Sequence, residues 1–117
     1  MRKILVSIVM VMLGPLAAQA TTLQPVDAAR HVGEQATVCG IVASTHYAGR
    51  SRGQPTFLDF GHPYPHQDLA AVVWGDDRDK FGALTELAGQ RACVSGTITL
   101  YRGAPQIVLH EPAALTQ

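Results

Sequence analysis

A short segment flanked by glycines occurs twice in this chain. Gly33–Gly40 (GEQATVCG) recurs 56 positions later as Gly89–Gly96 (GQRACVSG), with Gly, Ala, Val and Gly at the same offsets. In each copy one glycine opens a short alternating run and a second glycine interrupts it. A glycine inside a strand marks a bulge, a bend or a close backbone approach. Two bent strands in so short a chain predict a small, strongly coiled β-barrel.

The first twenty residues have the pattern of a secretory signal peptide. Two basic residues precede an apolar run at 4–13, and the small residues at 18–20 suit a cleavage site. The apolar run is too short for a permanent membrane span. The alternative to a signal peptide is an N-terminal membrane anchor. We therefore expect a signal peptide over 1–20 and a single domain over 21–117. The protein is then periplasmic or secreted, with no stable membrane insertion after cleavage.

Removal of the signal peptide changes the charge of the protein. Residues 21–117 carry seven basic and nine acidic side chains, which gives a net charge of −2. Tight, non-specific binding to nucleic acid depends on a basic surface. The overall charge therefore disfavours that kind of binding, although the local distribution of charge can still permit it.

The chain has two cysteines, Cys39 and Cys93, one in each copy of the repeat. Disulfides persist in the oxidising compartments that exported proteins enter, so a disulfide is expected, two buried free thiols being the alternative. The cysteines have the same parity in their runs. Their sulfur atoms can therefore meet if the two strands are neighbours.

Hydrophobic periodicity predicts five strands and a short N-terminal helix. The helix lies at 25–32, with a proline at its start and a glycine just beyond its end. Alternating or compact apolar runs bounded by turn residues define the strands. The predicted strands are 37–45, 56–60, 69–74, 91–101 and 106–110.

A longer helix is predicted between the third and fourth strands. Asp76 is placed to cap it, Phe81, Leu84 and Leu87 recur on one face, and Gly89 ends it. The three aspartates of its first turn suit the positive end of the helix dipole. A metal site at these aspartates is the alternative interpretation.

From Asp27 to Pro112 the chain resembles an OB-fold. The order β-β-β-α-β-β, the glycines in the first and fourth strands, and the closing segment Gly96–Leu109 carry the resemblance. More narrowly, the chain is similar to nucleic-acid-binding OB domains of the anticodon-binding and exonuclease VII large-subunit type. The expected fold is therefore all-β, a small five-stranded OB-fold barrel. Because the first strand pairs with the fourth in that fold, the resemblance places Cys39 and Cys93 on adjacent strands.

The resemblance also implies a binding face. OB-folds bind through strands two and three and through the loops that join strands one to two and four to five. Aromatic rings beside guanidinium groups suit the stacking of unpaired bases, so single-stranded nucleic acid is the expected partner. The residues that this places on the face are Arg50, Arg52, Phe57, Trp74, Tyr101 and Arg102.

Other interpretations of these residues remain open. Phe57 belongs to the core if the strand register shifts by one, Trp74 can close the bottom of the barrel, and Asp59 would repel phosphate on the face. The same face, or an open strand edge, can instead bind a protein or a small ligand. These alternatives define a periplasmic interaction protein without a nucleic-acid function.

No motif indicates catalysis, and neither a cofactor nor a metal is expected. His46, Ser51 and Asp59 are residue types of a catalytic triad, but nothing around Ser51 would activate it. His62 and His66 in the segment HPYPH could supply half of a metal site, an ordered connector with surface histidines being the alternative. The chain is therefore expected to be a non-catalytic binding module.

Overall fold

The computed structural model describes residues 4–10 and 21–117. Residues 4–10 form neither helix nor strand, and the rest of the predicted signal peptide lies outside the described residues. Within the described ranges, no helix is long and apolar enough to cross a membrane. The strands are β1 (Thr21–Leu23), β2 (Gln35–Tyr47), β3 (Thr56–Phe60), β4 (Leu69–Val73), β5 (Arg91–Thr97), β6 (Thr99–Tyr101), β7 (Ala104–Val108) and β8 (Leu115–Thr116).

The strands form one mixed sheet in the order β6-β7-β4-β3-β2-β5-β8, with β1 pairing in parallel with β2. β4 and β7 are parallel, whereas β2 is antiparallel to both β3 and β5. Only Ile98 separates β5 from β6, so one segment of chain lies near both ends of this order. The ladders of residues 21–117 do not close the sheet. The result is an all-β, barrel-like domain, which confirms the predicted fold class.

The predicted strands agree closely with the observed ones. β3 has the predicted bounds, β2 is two residues longer at each end, and β4 is one residue shorter. The predicted fourth strand is divided at Ile98 into β5 and β6, because its first part pairs with β2 and its second part with β7. The fifth strand, β7, begins and ends two residues earlier than predicted. The predicted N-terminal helix is a 3-10 helix at Pro25–Arg30.

The longer helix predicted from Asp76 is wrong. The segment instead contains a four-residue α1 (Gly75–Arg78) and a separate 3-10 helix at Leu84–Leu87. Asp76 lies inside the first turn of α1, and Trp74 occupies the N-cap position without a capping side-chain hydrogen bond. Short helices are marginal in water, and Gly82 between the two turns disfavours a continuous helix. Another 3-10 helix, Pro112–Ala114, precedes β8.

The core lies on one side of each strand. Phe60 is the largest fully buried side chain, and Leu58, Leu69, Ile98 and Ile107 are buried with it. Because side chains alternate along a strand, Leu58 and Phe60 face the core, while those of Phe57 and Asp59 point outward. β3 therefore contributes to the core and to an outer face at the same time.

The two glycines inside the repeated segments make room for neighbouring side chains. A β-carbon on Gly40 would lie 2.6 Å from the Cγ atom of Pro25, and one on Gly96 would lie 2.7 Å from the Cγ2 atom of Ile107. Pairing of β2 with β5 runs through both glycines without interruption, and the register shift of β2 occurs at residues 42–44. Of the bulge, bend or close approach that these glycines predict, the structure shows close approach and no bulge at either position.

Gly40→Ala is expected to lower the free energy of unfolding by about 1–3 kcal/mol, because the rigid Pro25 ring must move to admit a methyl group. Urea denaturation measures the change. Gly82→Ala is the matched control, since no atom lies within 4 Å of its added β-carbon. Equal stability of the two variants would contradict the close packing of Pro25 on β2.

A disulfide joins Cys39 to Cys93, which confirms the prediction. The two residues lie directly opposite each other in the β2–β5 ladder, with their Cα atoms 4.0 Å apart. The next pair along the same side is Thr37 and Ser95, whose hydroxyl oxygens are 2.8 Å apart. The disulfide therefore lies on the outside of the sheet and links the first strand to the fourth strand of the OB-like order.

Candidate functional site

The outer face of β2, β3, β4 and β7 carries the candidate site. Phe57 lies opposite His46, and Asp59 lies opposite Ser44, in the β2–β3 ladder. Leu58, between Phe57 and Asp59, is fully buried in the core. This register places Phe57 on the outer face and rules out the shifted register in which it would belong to the core.

A cavity of about 340 Å³ opens on this face. Its floor comes from the strands, and its walls come from the loops at 48–55 and 61–68 and from the β6–β7 hairpin. We refer to it as the face cavity. It is lined by His46, Ala48, Ser51, Phe57, Asp59, Tyr64, Gln67, Ala70, Tyr101, Ala104, Pro105 and Gln106.

A buried carboxylate lies in the face cavity. Asp59 is only 1% exposed, and its Oδ2 atom accepts a hydrogen bond of 2.8 Å from the Ser44 hydroxyl. The backbone N–H of Tyr64 donates in turn to the Ser44 oxygen over 3.1 Å, which ties the loop at 61–68 to the strand. The other oxygen, Oδ1, is buried without a hydrogen-bond partner. Asp59, which lines the cavity, therefore carries an acceptor that no other group of the described residues uses.

Burial raises the pKa of Asp59, because removing water disfavours the charged form. The hydrogen bond from Ser44 and the nearby His46 act in the opposite direction and only partly offset the burial. A titratable group whose pKa is shifted by burial within a cleft is a common feature of functional sites. Gln67 contributes a second buried acceptor, since its Oε1 atom also lacks a partner.

Two tyrosine rings stand at the walls of the face cavity. Tyr64 is 72% exposed and Tyr101 is 58% exposed, although both line the cavity. Neither ring is taken up by the core, so both are available to a planar ligand in the cavity. The peptide bond between Tyr64 and Pro65 is cis. The site thus combines exposed aromatic walls with a buried acidic floor.

Arg102 lies at the tip of the β6–β7 hairpin, next to the face cavity. Arg102 and Gly103 form its two-residue loop, with φ angles of 50° and 80°. Positive φ at both positions is typical of a type I′ turn, in which asparagine is favoured over arginine at the first position. The guanidinium carbon lies 5.3 Å from the centre of the Tyr101 ring. The positive charge is therefore held beside an aromatic wall.

The remaining predicted residues lie around the loop at 48–55. Arg50 and Arg52 are exposed in this loop, which supplies Ala48 and Ser51 to the cavity lining. Trp74 does not line the cavity and is 41% exposed, so it does not close the barrel. A β-carbon on Gly53 would lie 2.9 Å from the ring of Trp74, so this ring packs against the loop. The structure thus brings Phe57, Tyr101 and Arg102 together, and leaves Trp74 outside the cavity.

Several lining residues were not predicted. Tyr64 and Gln67 come from a proline-containing connector whose path the sequence does not define, and Asp59 was expected to face phosphate rather than to be buried. The aromatic ring of Tyr64 between two prolines was the available signal. A tyrosine in a polar loop is free to contact a ligand, because loops on a rigid scaffold are where binding residues concentrate.

His46, Ser51 and Asp59 all line the face cavity, although they do not form a catalytic triad. In a triad the carboxylate hydrogen-bonds the histidine and orients it. Here the carboxylate of Asp59 is bonded by Ser44 and leaves Oδ1 without a partner. The geometry that would activate Ser51 through His46 is therefore missing.

The histidines of the connector lie on the surface. His62 and His66 are exposed, and the Nδ1 atom of His62 lies 3.2 Å from Oδ2 of Asp68. Over the described residues, no group of three or more His, Cys, Asp or Glu side chains is arranged to hold a metal. Asp77, from the predicted aspartate cluster, contacts Lys80 at 3.0 Å and His110 at 3.2 Å. The hydrogen bond with Lys80 is the main cause that lowers the pKa of Asp77.

Two further cavities of about 390 and 380 Å³ lie elsewhere on the domain. One is beside the 3-10 helix at Leu84–Leu87, and the other lies between β5 and the end of β7. Neither is lined by a phenylalanine, tyrosine or tryptophan ring or by a buried carboxylate. We therefore choose the face cavity as the candidate site because of its aromatic rings and buried carboxylate, and not because of its volume.

Comparison with known proteins identifies the fold and not a family. The sequence matches no protein-family model and no curated protein. Among solved structures, it is similar to OBody AM1L10 bound to hen egg-white lysozyme, with a TM-score of 0.59 and 15% identity over 86% of this chain and 95% of the other. A second similarity is to a candidate aspartyl-tRNA synthetase from Leishmania major Friedlin, with a TM-score of 0.50 and 13% identity. That match covers 86% of this chain but 22% of the synthetase, so this chain spans about a fifth of that protein.

A third structure is a candidate nucleic acid-binding lipoprotein from Klebsiella pneumoniae subsp. pneumoniae MGH 78578. Its TM-score is 0.47, with 11% identity over 76% of this chain and 87% of the other. At such identities similarity concerns the fold alone. Together with the strand order, the first two similarities define the class of this protein as a small domain with an OB-like fold.

Proposed function

We propose that this chain is a non-catalytic binding module that binds single-stranded nucleic acid or oligonucleotides through the face cavity. The observation that carries the proposal is the pair of exposed rings, Tyr64 and Tyr101, on the walls of a cavity on the face that OB-folds use for binding. Unpaired bases stack on such rings without regard to sequence. Arg102, beside Tyr101, is placed to contact the phosphate that follows a stacked base.

The charges of the face suit a moderate, salt-dependent affinity. Arg50, Arg52 and Arg102 are exposed on two loops near the cavity, whereas the chain from 21 to 117 carries a net charge of −2. Asp59 is buried and its Oδ2 atom is bonded by Ser44, so its carboxylate does not stand at the rim where a phosphate would bind. Binding would therefore depend on a few local contacts and not on the charge of the whole domain.

We also propose that the protein works in the periplasm or outside the cell. The predicted signal peptide supports this location, and so does the disulfide between Cys39 and Cys93, which oxidising compartments preserve. The absence of a Ser-His-Asp geometry at His46 and Asp59 supports binding without catalysis. An exported module of this kind would meet nucleic acid outside the cytoplasm.

The second candidate is binding of a protein or a small ligand on the same face. Exposed tyrosines are also enriched in protein interfaces, and the similar OBody structure was solved in complex with a protein, lysozyme. The volume of the face cavity lies at the lower end of the range for small-molecule sites. The OB-like fold hosts both kinds of activity, so binding measurements must separate them.

Fluorescence anisotropy with a labelled single-stranded oligonucleotide of about eight nucleotides tests the proposal. We expect binding at low salt, with an affinity that falls as salt rises. Arg102→Asn should weaken binding of every sequence and reduce the salt slope by about 0.7, the value for one phosphate contact with a single strand. Asparagine favours the backbone that Arg102 adopts, so this variant should fold at least as stably.

Arg91→Ala is the matched control, because Arg91 is exposed at the start of β5 and does not line the face cavity. It removes the same charge from the domain, so any effect of net charge alone would appear in both variants. An equal loss of affinity in Arg91→Ala and Arg102→Asn would contradict a local phosphate contact. If the unaltered protein binds no oligonucleotide at low salt, the protein or small-ligand candidate replaces this proposal.

A further inference from the structure

We infer that the face cavity selects a base whose edge presents N–H donors, guanine above the others, and that Asp59 is the residue that selects it. This inference rests on the proposed function and extends it from binding in general to the choice of base. It starts from the unpartnered Oδ1 atom of Asp59, on a side chain that is 1% exposed and lines the cavity.

The Oδ1 atom of Asp59 can be satisfied by a hydrogen-bond donor from a ligand. A buried polar atom without a hydrogen bond is unfavourable, and nearly all such atoms in folded proteins find a partner. Ser44 uses Oδ2 of Asp59, and Oε1 of Gln67, a residue that also lines the cavity, is a second buried acceptor without a partner. A ligand that offers N–H groups would satisfy these atoms, whereas a ligand that offers only acceptors would leave them unpaired.

Among the bases, guanine fits this demand best. Its pairing edge presents two adjacent donors, the ring N1–H and the N2 amino group. Adenine and cytosine present one amino group beside a ring nitrogen that is an acceptor, and that nitrogen would face the carboxylate unfavourably. Thymine presents one N–H between two carbonyl oxygens. The order expected from this chemistry is guanine first, adenine and cytosine next, and thymine last.

A cationic group, such as an arginine of a protein partner, would also satisfy Asp59, but the surroundings disfavour it. Arg102 stands beside the cavity, and Arg50 and Arg52 lie on the loop that lines it, so a cation would approach against positive charge. The same charges attract the phosphates that accompany a base. The exposed rings of Tyr64 and Tyr101 offer flat surfaces to a planar ligand. These observations favour a nucleotide over a basic side chain.

The test compares oligothymidines of about eight nucleotides that carry a single guanine, hypoxanthine, adenine or cytosine at the centre. Hypoxanthine differs from guanine only in lacking the N2 amino group, so it isolates one donor. We expect the guanine oligonucleotide to bind roughly ten- to one hundredfold more tightly than the hypoxanthine and all-thymine ones. Equal binding of all the oligonucleotides would overturn this inference while leaving the proposed function intact. No binding of any of them would overturn both.

Asp59→Asn provides the second arm. The asparagine keeps an oxygen for the Ser44 hydroxyl but presents an N–H group in place of the free carboxylate oxygen. This variant should bind the guanine and hypoxanthine oligonucleotides with about equal affinity. Its melting temperature should be kept or raised, because a buried charge is removed. Asp68→Asn is the matched control, since Asp68 carries the same charge in the neighbouring loop and does not line the cavity. A preference for guanine that persists in Asp59→Asn would overturn the assignment to Asp59, as would displacement of the oligonucleotide by arginine amide and not by guanosine monophosphate.

Discussion

Replacing Cys39 and Cys93 together by alanine is expected to lower the free energy of unfolding by about 4 kcal/mol. The disulfide closes a loop with a sequence separation of 54, and the cost of opening it arises mainly from the larger freedom of the unfolded chain. For a domain of this size, such a loss is a large share of the total stability. Urea denaturation of the two proteins under non-reducing conditions measures the difference.

Reduction of the unaltered protein should reproduce the loss, because it opens the same loop without changing the packing. Thr37→Ala is the matched control, since it removes the hydroxyl contact with Ser95 on the adjacent pair of the same ladder. That change should cost only about 1 kcal/mol. An unchanged denaturation midpoint for the double cysteine variant would mean that the disulfide does not hold β2 to β5 in solution.

Because of the position of the disulfide, its loss should lower the stability of the fold without changing the face cavity. Cys39 and Cys93 join β2 to β5 on the ladder that does not carry the face cavity. At temperatures where both proteins are folded, the variant without the disulfide should therefore keep its site. The repeated segment builds the fold, and the residues that line the face cavity lie on the other ladders of the sheet and on the loops beside them.

The fold could be predicted because its signals are local. Thr56–Phe60 alternates clearly, and turn residues bound each strand, so the strands appear where the periodicity places them. The prediction of one helix from Asp76 was wrong, although its signals were equally local. The structure of that segment is decided by contacts with distant residues. Phe81, which lies beyond the end of α1, and Leu87, in the 3-10 helix, both pack against the core, and this packing replaces a continuous helix. Tertiary contacts outweigh propensity in so short a segment.

The site could be predicted only in part. Phe57 and Tyr101 follow from strand alternation and from the OB-like order, and Arg102 from the turn that it forms with Gly103. The burial of Asp59 does not follow from any local pattern. It depends on the register of β2 with β3 and on the connector that Tyr64 fastens to Ser44, both of which are contacts between distant residues.

The position of Asp59 bears on function as well as on stability. Its unpartnered oxygen is unfavourable, and an apolar residue would fill the same place at lower cost. Because burial raises its pKa, the folded protein binds the proton more tightly than the unfolded chain does. Stability therefore falls as pH rises from the ordinary aspartate pKa through the raised value. A residue that opposes stability within a cavity is more readily explained by a ligand than by the fold.

Tyr64→Ala combined with Tyr101→Ala is expected to weaken oligonucleotide binding by about 2–6 kcal/mol, the loss of two base–ring stacking contacts. Both rings are mostly exposed, so their removal should change the free energy of unfolding by less than about 1 kcal/mol. Anisotropy titration at low salt measures the loss. The corresponding double phenylalanine variant keeps both rings and should keep the affinity, because stacking does not need the hydroxyl groups.

Leu100→Ala is the matched control for these tyrosines. Leu100 precedes Tyr101 on β6 and is 53% exposed, but alternation along the strand points its side chain away from the face cavity, which it does not line. A loss of affinity in the double alanine variant alone would assign the stacking surface to Tyr64 and Tyr101. An equal loss in Leu100→Ala would instead indicate a broad apolar contact. That outcome would favour a protein partner on this face over a nucleic acid.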